Sequence, residues 1–100
     1  MRARRFPLTL PIRCRRAGGG WIQGTTINIS SSGVLFRTSE PLDVDTQVEM
    51  SIALGESATR AGELRCDGYI VRIESSDSTT ASMAAVFSRY NLQRATEFWA

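Results

Sequence analysis

The stretch "NISSSGVLF", Asn28 to Phe36, sets three serines and a glycine between two segments that have the composition of β-strands. Before the serines runs "WIQGTTINI", residues 21–29, rich in β-branched and aromatic side chains, with Trp21, Ile27 and Ile29 in one phase. After them comes "VLFRT", residues 34–38, which reads as a second strand. Serine and glycine favour tight turns, so the whole reads as a hairpin.

Working outward, period two continues on both sides. In "PLTLPIRCR", residues 7–15, Leu8, Leu10, Ile12 and Cys14 alternate with Thr9, Pro11, Arg13 and Arg15, the pattern of a half-buried strand. Pro11 has no amide hydrogen to give, which puts this strand at an edge or turns that position away from its neighbour. The run "AGGG", residues 17–20, supplies a turn, with no helix start behind it to make a phosphate cradle. "SEPLDVDT" reads as an irregular connection, and "QVEMSIAL" alternates cleanly, with Val48, Met50, Ile52 and Leu54 on one face.

Further on, Leu64 and Cys66 face inward, and after Gly68 the inward phase passes to Tyr69, Val71 and Ile73, a slip that predicts a bulge at the glycine. Ala81, Met83, Ala85 and Phe87 then share a face. The ending "NLQRATEFWA" turns to helical spacing, with Ser88 or Asn91 as the cap and Leu92, Ala95 and Trp99 on one side. Six strands with antiparallel connections and little helix predict a mainly β fold, a small antiparallel barrel or a sandwich, with the barrel favoured because bulges and glycines supply the bends that closure needs. The expected layout is one domain over residues 1–100: a flexible basic arm (1–6), the barrel (7–88) and a short C-terminal helix (89–100) that caps one end of the barrel.

One hundred residues suit a single core. No apolar run approaches the roughly 20 residues that span a bilayer, and the N-terminus lacks the continuous apolar stretch of a secretory signal, so a cytoplasmic protein without membrane insertion is expected. The chain has no histidine, which excludes histidine general bases and nitrogen-ligated metal sites, and no motif of an enzyme is present. Cys14 and Cys66 each lie on the apolar side of their alternation and read as free, buried thiols.

Charge is distributed unevenly. Residues 1–39 hold Arg2, Arg4, Arg5, Arg13, Arg15, Arg16 and Arg37 and no acid, whereas residues 40–100 hold five arginines against ten acids. A basic half points to an anionic partner: a nucleotide, a nucleic acid or a membrane surface.

Taken together, the arginine-rich start leading into "RFPLTLPIRCR", the hairpin, "NISSSGVLF", "PLDVDTQVEMSIAL" and the late "GYIVRIE" resemble a PilZ domain over nearly the whole chain. The resemblance implies a six-stranded barrel that binds the bacterial second messenger cyclic di-GMP through two signatures. One is an Arg-x-x-x-Arg pair on the N-terminal arm, the other an Asp/Asn-x-Ser-x-x-Gly turn. Asn28, Ser30 and Gly33 satisfy the second. In the first, Arg5 before Phe6 corresponds to the second arginine, and the position of its partner holds Met1. Three readings stay open: Arg2 stands in from one position away, an arginine lies upstream, or the chain is a degenerate member.

The chemistry follows from the residue types. Arginine forks at Arg2, Arg4 and Arg5 match phosphate oxygens or the O6 and N7 edge of guanine. The Asn28 amide can donate to and accept from a base, and the Ser30 hydroxyl can do either. Gly33 is expected to supply positive φ and a close approach to the ligand. The expectation is therefore a receptor module, not an enzyme, whose arm is ordered by cyclic di-GMP over the turn, changing the surface that a downstream protein meets. Two alternatives are a degenerate PilZ domain that docks on a protein without nucleotide, and a small barrel binding single-stranded nucleic acid through aromatic stacking. The latter is less favoured, since Trp21 and Tyr69 alone look free to stack while Phe6 and Phe36 look buried.

Overall fold

Period-two segments become strands throughout: β1 (Phe6–Pro7), β2 (Pro11–Arg16), β3 (Ile22–Ile29), β4 (Gly33–Thr38), β5 (Gln47–Ala53), β6 (Gly62–Ser76) and β7 (Ala81–Arg94). They come from a computed structural model that describes residues 5–54, 62–76 and 79–94. Every pairing is antiparallel, and β3 pairs with both β2 and β4, so the six longer strands close in the order β2, β3, β4, β7, β6, β5 and back to β2. The two residues of β1 extend this wall by pairing with Asn28 and Ile29 of β3. Closure removes the free edges that an open sheet of this size would expose. Pro11 is opposite Thr25 of β3, while pairing with β5 begins only at Ile12, so its missing amide hydrogen breaks no ladder.

The core lies inside the barrel. Ile12 and Cys14 of β2, Val34 and Phe36 of β4, Val48, Met50 and Ile52 of β5, Cys66 and Ile70 of β6, and Met83 and Ala85 of β7 meet there with Leu42. The connection before β5 is irregular, as its composition predicts, and turns at Asp45, which adopts a φ of 73°. Its amide donates to the carbonyl of Ile70 at 2.7 Å, tying the turn to β6. At the other tight turn Gly18 adopts a φ of 77°, which a residue with a Cβ would resist.

Three expectations need correction. In β3, Trp21, Ile27 and Ile29 do not share one phase: Ile22, Gly24 and Thr26 face inward, Ile27 is an extra residue in the ladder with β4, and Ile29 packs against the core. Trp21 instead lies on the outer face under two guanidinium groups, at 4.4 Å from Arg15 and 4.9 Å from Arg13. In β6 the register does shift at Gly68, but the extra residue there is Ser88 of β7, so β6 keeps its phase through Ile70 and leaves Tyr69 outside. A slip can be taken up by either partner, and one strand's own sequence does not say which. Finally, residues 89–94, expected to begin a helix, continue β7 against residues 62–67 of β6, because strand pairing satisfies their backbone groups. The remainder of that expected helix, residues 95–100, lies outside the described residues. Among the described residues, no helix is long and apolar enough to cross a membrane.

Cys14 and Cys66 are free and buried, as their phase predicts. Both are opposite Met50, one on each side of β5. Two strand spacings separate them, about 9–10 Å, beyond the roughly 7 Å limit for a disulfide. Burial, with a smaller contribution from Glu40, pushes the Cys14 thiol up to about 11. Burial, with Asp67 adding to it, pushes the Cys66 thiol up to about 12.

Candidate functional site

The site is assembled at the junction of β1, β3, β4, β6 and β7. Its first component is the seating of the arm. Between β1 and β2 the strand is interrupted, and the buried Thr26 side chain fills the gap: its hydroxyl donates to the carbonyl of Leu8 at 2.5 Å and accepts from the amide of Leu10 at 2.9 Å. With Leu8 and Leu10 fixed, Pro7 meets Asn28 and Phe6 meets Ile29. Arg5 is thereby delivered beside the serine turn.

The second component is a bulge. Thr26 pairs with Phe36, but Asn28 pairs with Leu35, leaving Ile27 without a rung. An unbroken alternation from Thr26 would aim Asn28 at the core. The extra residue turns Asn28 outward with Leu35 and returns Ile29 to the interior, where it packs against the core. The Asn28 side chain makes no hydrogen bond to another described residue.

The third component is the turn. The Ser30 amide donates to the Gly33 carbonyl at 2.9 Å, and the Ser30 hydroxyl accepts from the amides of Ser32 and Gly33, each at 3.2 Å. Both acceptor positions of that hydroxyl are used, and its hydrogen is directed at the Gly33 carbonyl at 3.5 Å, with the Ser32 hydroxyl at 3.1 Å, so toward a ligand Ser30 acts as a donor by giving up a long internal bond. The Phe87 amide donates to the Ser32 carbonyl at 2.8 Å and fastens the turn to β7. Gly33 corrects the expectation of positive φ, which it does not adopt. A Cβ at this position would lie 2.4 Å from the carbonyl oxygen of Ala85, so glycine is required for the approach of β4 to β7.

Arg5, Asn28, Ser30, Gly33 and Leu35 border one cleft, with Arg72 of β6 and Ala84 of β7 on its far side. Its volume of about 80 Å³ holds only a few water molecules. Any larger ligand lies mostly on the surface above it. Arg2 and Arg4 lie outside the described residues. Arg72 is the residue the sequence did not assign to the site. It lies 39 positions beyond Gly33, and only the return of β6 beside β7 brings it here.

Two arginines of the basic half, Arg13 and Arg15, go elsewhere. Arg15 pairs with Glu49 at 2.9 Å, Arg65 with Glu49 at 3.1 Å and with Glu63 at 3.5 Å, and Arg13 approaches Glu63 at 3.8 Å. These groups form a charge network on the outer face of β2, β5 and β6. Hydrogen bonds from Arg15 and Arg65 hold the Glu49 carboxyl below the usual glutamate range. The unevenness along the chain is thus partly neutralised in space. Among the aromatic side chains, Phe36 is buried as expected, but Phe6 is 53% exposed because β1 presents it outward, and the face of Trp21 is taken by arginine.

No curated protein matches the chain in sequence. Among solved structures, the Bacillus subtilis inhibitor of motility, MotI/DgrA, superposes with a TM-score of 0.74 at 16% identity, over 91% of this chain and 44% of that one. The likeness is one of fold, and this chain spans less than half of that protein's length. The family model of the PilZ domain matches residues 1–96. With this match over nearly the whole length and a closed antiparallel barrel, the chain belongs to the PilZ domain family.

Proposed function

We propose that this domain is a receptor for cyclic di-GMP that acts by binding and not by catalysis. The observation that carries the reading is the convergence of Arg5, Asn28, Ser30 and Gly33 on one cleft. Arg5 offers a fork to a phosphate or to the guanine O6 and N7 edge. Asn28, outward and without a hydrogen-bond partner among the described residues, can pair with a base edge. Ser30 turns its hydroxyl hydrogen from the Gly33 carbonyl, 3.5 Å away, to a phosphate or base oxygen.

Because the cleft is small, the dinucleotide rests on the barrel surface and is covered from above. The ligand draws Arg2, Arg4 and Arg5 over itself, and the covered surface is what a downstream protein reads. A cytoplasmic location belongs to the same proposal.

The test is calorimetric titration with cyclic di-GMP beside GTP and a short single-stranded oligonucleotide. Heat with the cyclic dinucleotide alone is expected, and Arg5→Ala should weaken it by about tenfold or more, as loss of a charge-assisted hydrogen bond implies. Arg13→Ala, whose guanidinium belongs to the outer charge network, should leave it within about twofold. Silence toward cyclic di-GMP, in a chain extended upstream to any further arginine, would overturn the reading.

A further inference from the structure

We infer that Arg72 is an additional anchoring residue of the cleft and that Glu74 holds it in check, competing with the ligand for its guanidinium. The inference rests on the nucleotide reading above and assigns a residue and a control to that site.

Two bulges flank the cleft, and they do the same thing. On β3 the extra residue Ile27 turns Asn28 out of the core phase. On β6, Ile70 faces Ala85 while Arg72 faces Ala84, leaving Val71 as an extra residue. Ile70 and Ala85 are core residues, so unbroken alternation would send the second residue after Ile70, Arg72, into the barrel. The bulge turns it outward instead, into the cleft that Arg5, Asn28 and Ser30 border. A charged side chain in the core phase would be costly, so the irregularity also keeps the barrel interior apolar.

Beyond Arg72 the strand is irregular once more. Ile73 faces Met83 and Ser75 faces Ser82, so Glu74 is itself an extra residue. Its carboxylate accepts a hydrogen bond from Nε of Arg72. Both side chains remain nearly half exposed, at 46% and 42%. An ion pair in that setting is weak. The carboxylate therefore stands where a phosphate oxygen would, on the donor that a phosphate would use, and a ligand can displace it at small cost.

Arg5 and Arg72, far apart in sequence, border the same cleft. A ligand bridging them ties the arm to β6, and the Glu74 competitor sets how much ligand that requires.

The experiment is calorimetric titration of the whole chain with cyclic di-GMP in four forms: unmodified, Glu74→Gln, Arg72→Ala and the double variant, with thermal midpoints measured alongside. Glu74→Gln should tighten binding by about two- to fivefold, the range set by an exposed ion pair. Arg72→Ala should weaken it by about tenfold or more. In the Arg72→Ala background, Glu74→Gln should give no gain. A gain that persists there makes Glu74 a general repulsive charge and overturns the inference, as does Arg72→Ala binding like the unmodified chain. If the unmodified chain gives no heat, the nucleotide reading fails and takes the role of Arg72 with it. If it gives heat and Glu74→Gln changes nothing, the nucleotide reading stands and the check by Glu74 alone is overturned.

Discussion

Asn28 stands opposite Leu35 on the outside of the barrel, not opposite Val34 as an unbroken register would have it, because Ile27 is inserted between Thr26 and Asn28 in β3. That single extra residue separates a side chain available to a ligand from one buried in a core that already contains Val34 and Phe36. Asn28→Ser should therefore weaken cyclic di-GMP binding by about tenfold or more while changing stability by no more than about 0.5 kcal/mol, since no side-chain hydrogen bond among the described residues is lost. Calorimetry and a thermal melt on the same preparation check both halves. An equal loss of stability and affinity would mean that Asn28 is a structural residue.

Thr26 should control the site without touching a ligand. Thr26→Val keeps the shape but leaves the Leu8 carbonyl and the Leu10 amide without the hydroxyl that joins them. Loss of a buried hydrogen-bonding group costs about 1–3 kcal/mol. The thermal midpoint should fall by several degrees, and affinity should fall with it because β1 no longer seats Arg5. A melt that falls while affinity holds would show that Arg5 finds the cleft without β1.

Gly33→Ala should damage the fold first. The added Cβ would meet the Ala85 carbonyl at 2.4 Å, so β4 and β7 must separate. Overpacking of this kind costs about 1–3 kcal/mol, and each kcal/mol lowers the midpoint by about 4–8 °C in a domain of this size. An unchanged midpoint would return Gly33 to the role of ligand contact alone.

Alkaline pH should loosen the barrel through its two thiols. Their ordinary value is 9.0, raised in the fold to about 11 at Cys14 and about 12 at Cys66. Above pH 9 the unfolded chain releases protons that the folded chain keeps. Stability is therefore full below that pH and declines as pH rises, by about 1.4 kcal/mol per pH unit for each thiol until its folded value is reached. Urea midpoints between pH 8 and 10.5 should show the decline, with a shallower slope in Cys14→Ala or Cys66→Ala. Equal slopes in all three proteins would assign the effect to other groups.

Much of this molecule was legible in its sequence. Alternation in "QVEMSIAL" predicted the burial of Val48, Met50 and Ile52, although Leu54 of the same expected face, just past the end of β5, is exposed, and strand context predicted that of Phe36, because side-chain direction in a strand is a local property with period two. The Asn-x-Ser-x-x-Gly turn was equally local. What sequence misjudged were positions where a neighbouring strand decides: the phase of β3, the side of the Gly68 slip that carries the extra residue, and the strand pairing of residues 89–94.

The same division runs through the site. The sequence by itself determined the barrel-forming strands, the serine turn and the arginine before Phe6, all written within a few consecutive residues. Tertiary structure alone decided that Asn28 faces outward, that Arg13 and Arg15 serve Glu49, Glu63 and Trp21, and that Arg72 joins Arg5 at one cleft. The physical reason is that a bulge, a cross-strand ion pair and a shared cleft are each properties of two or more strands in register, and register exists only once the barrel has closed.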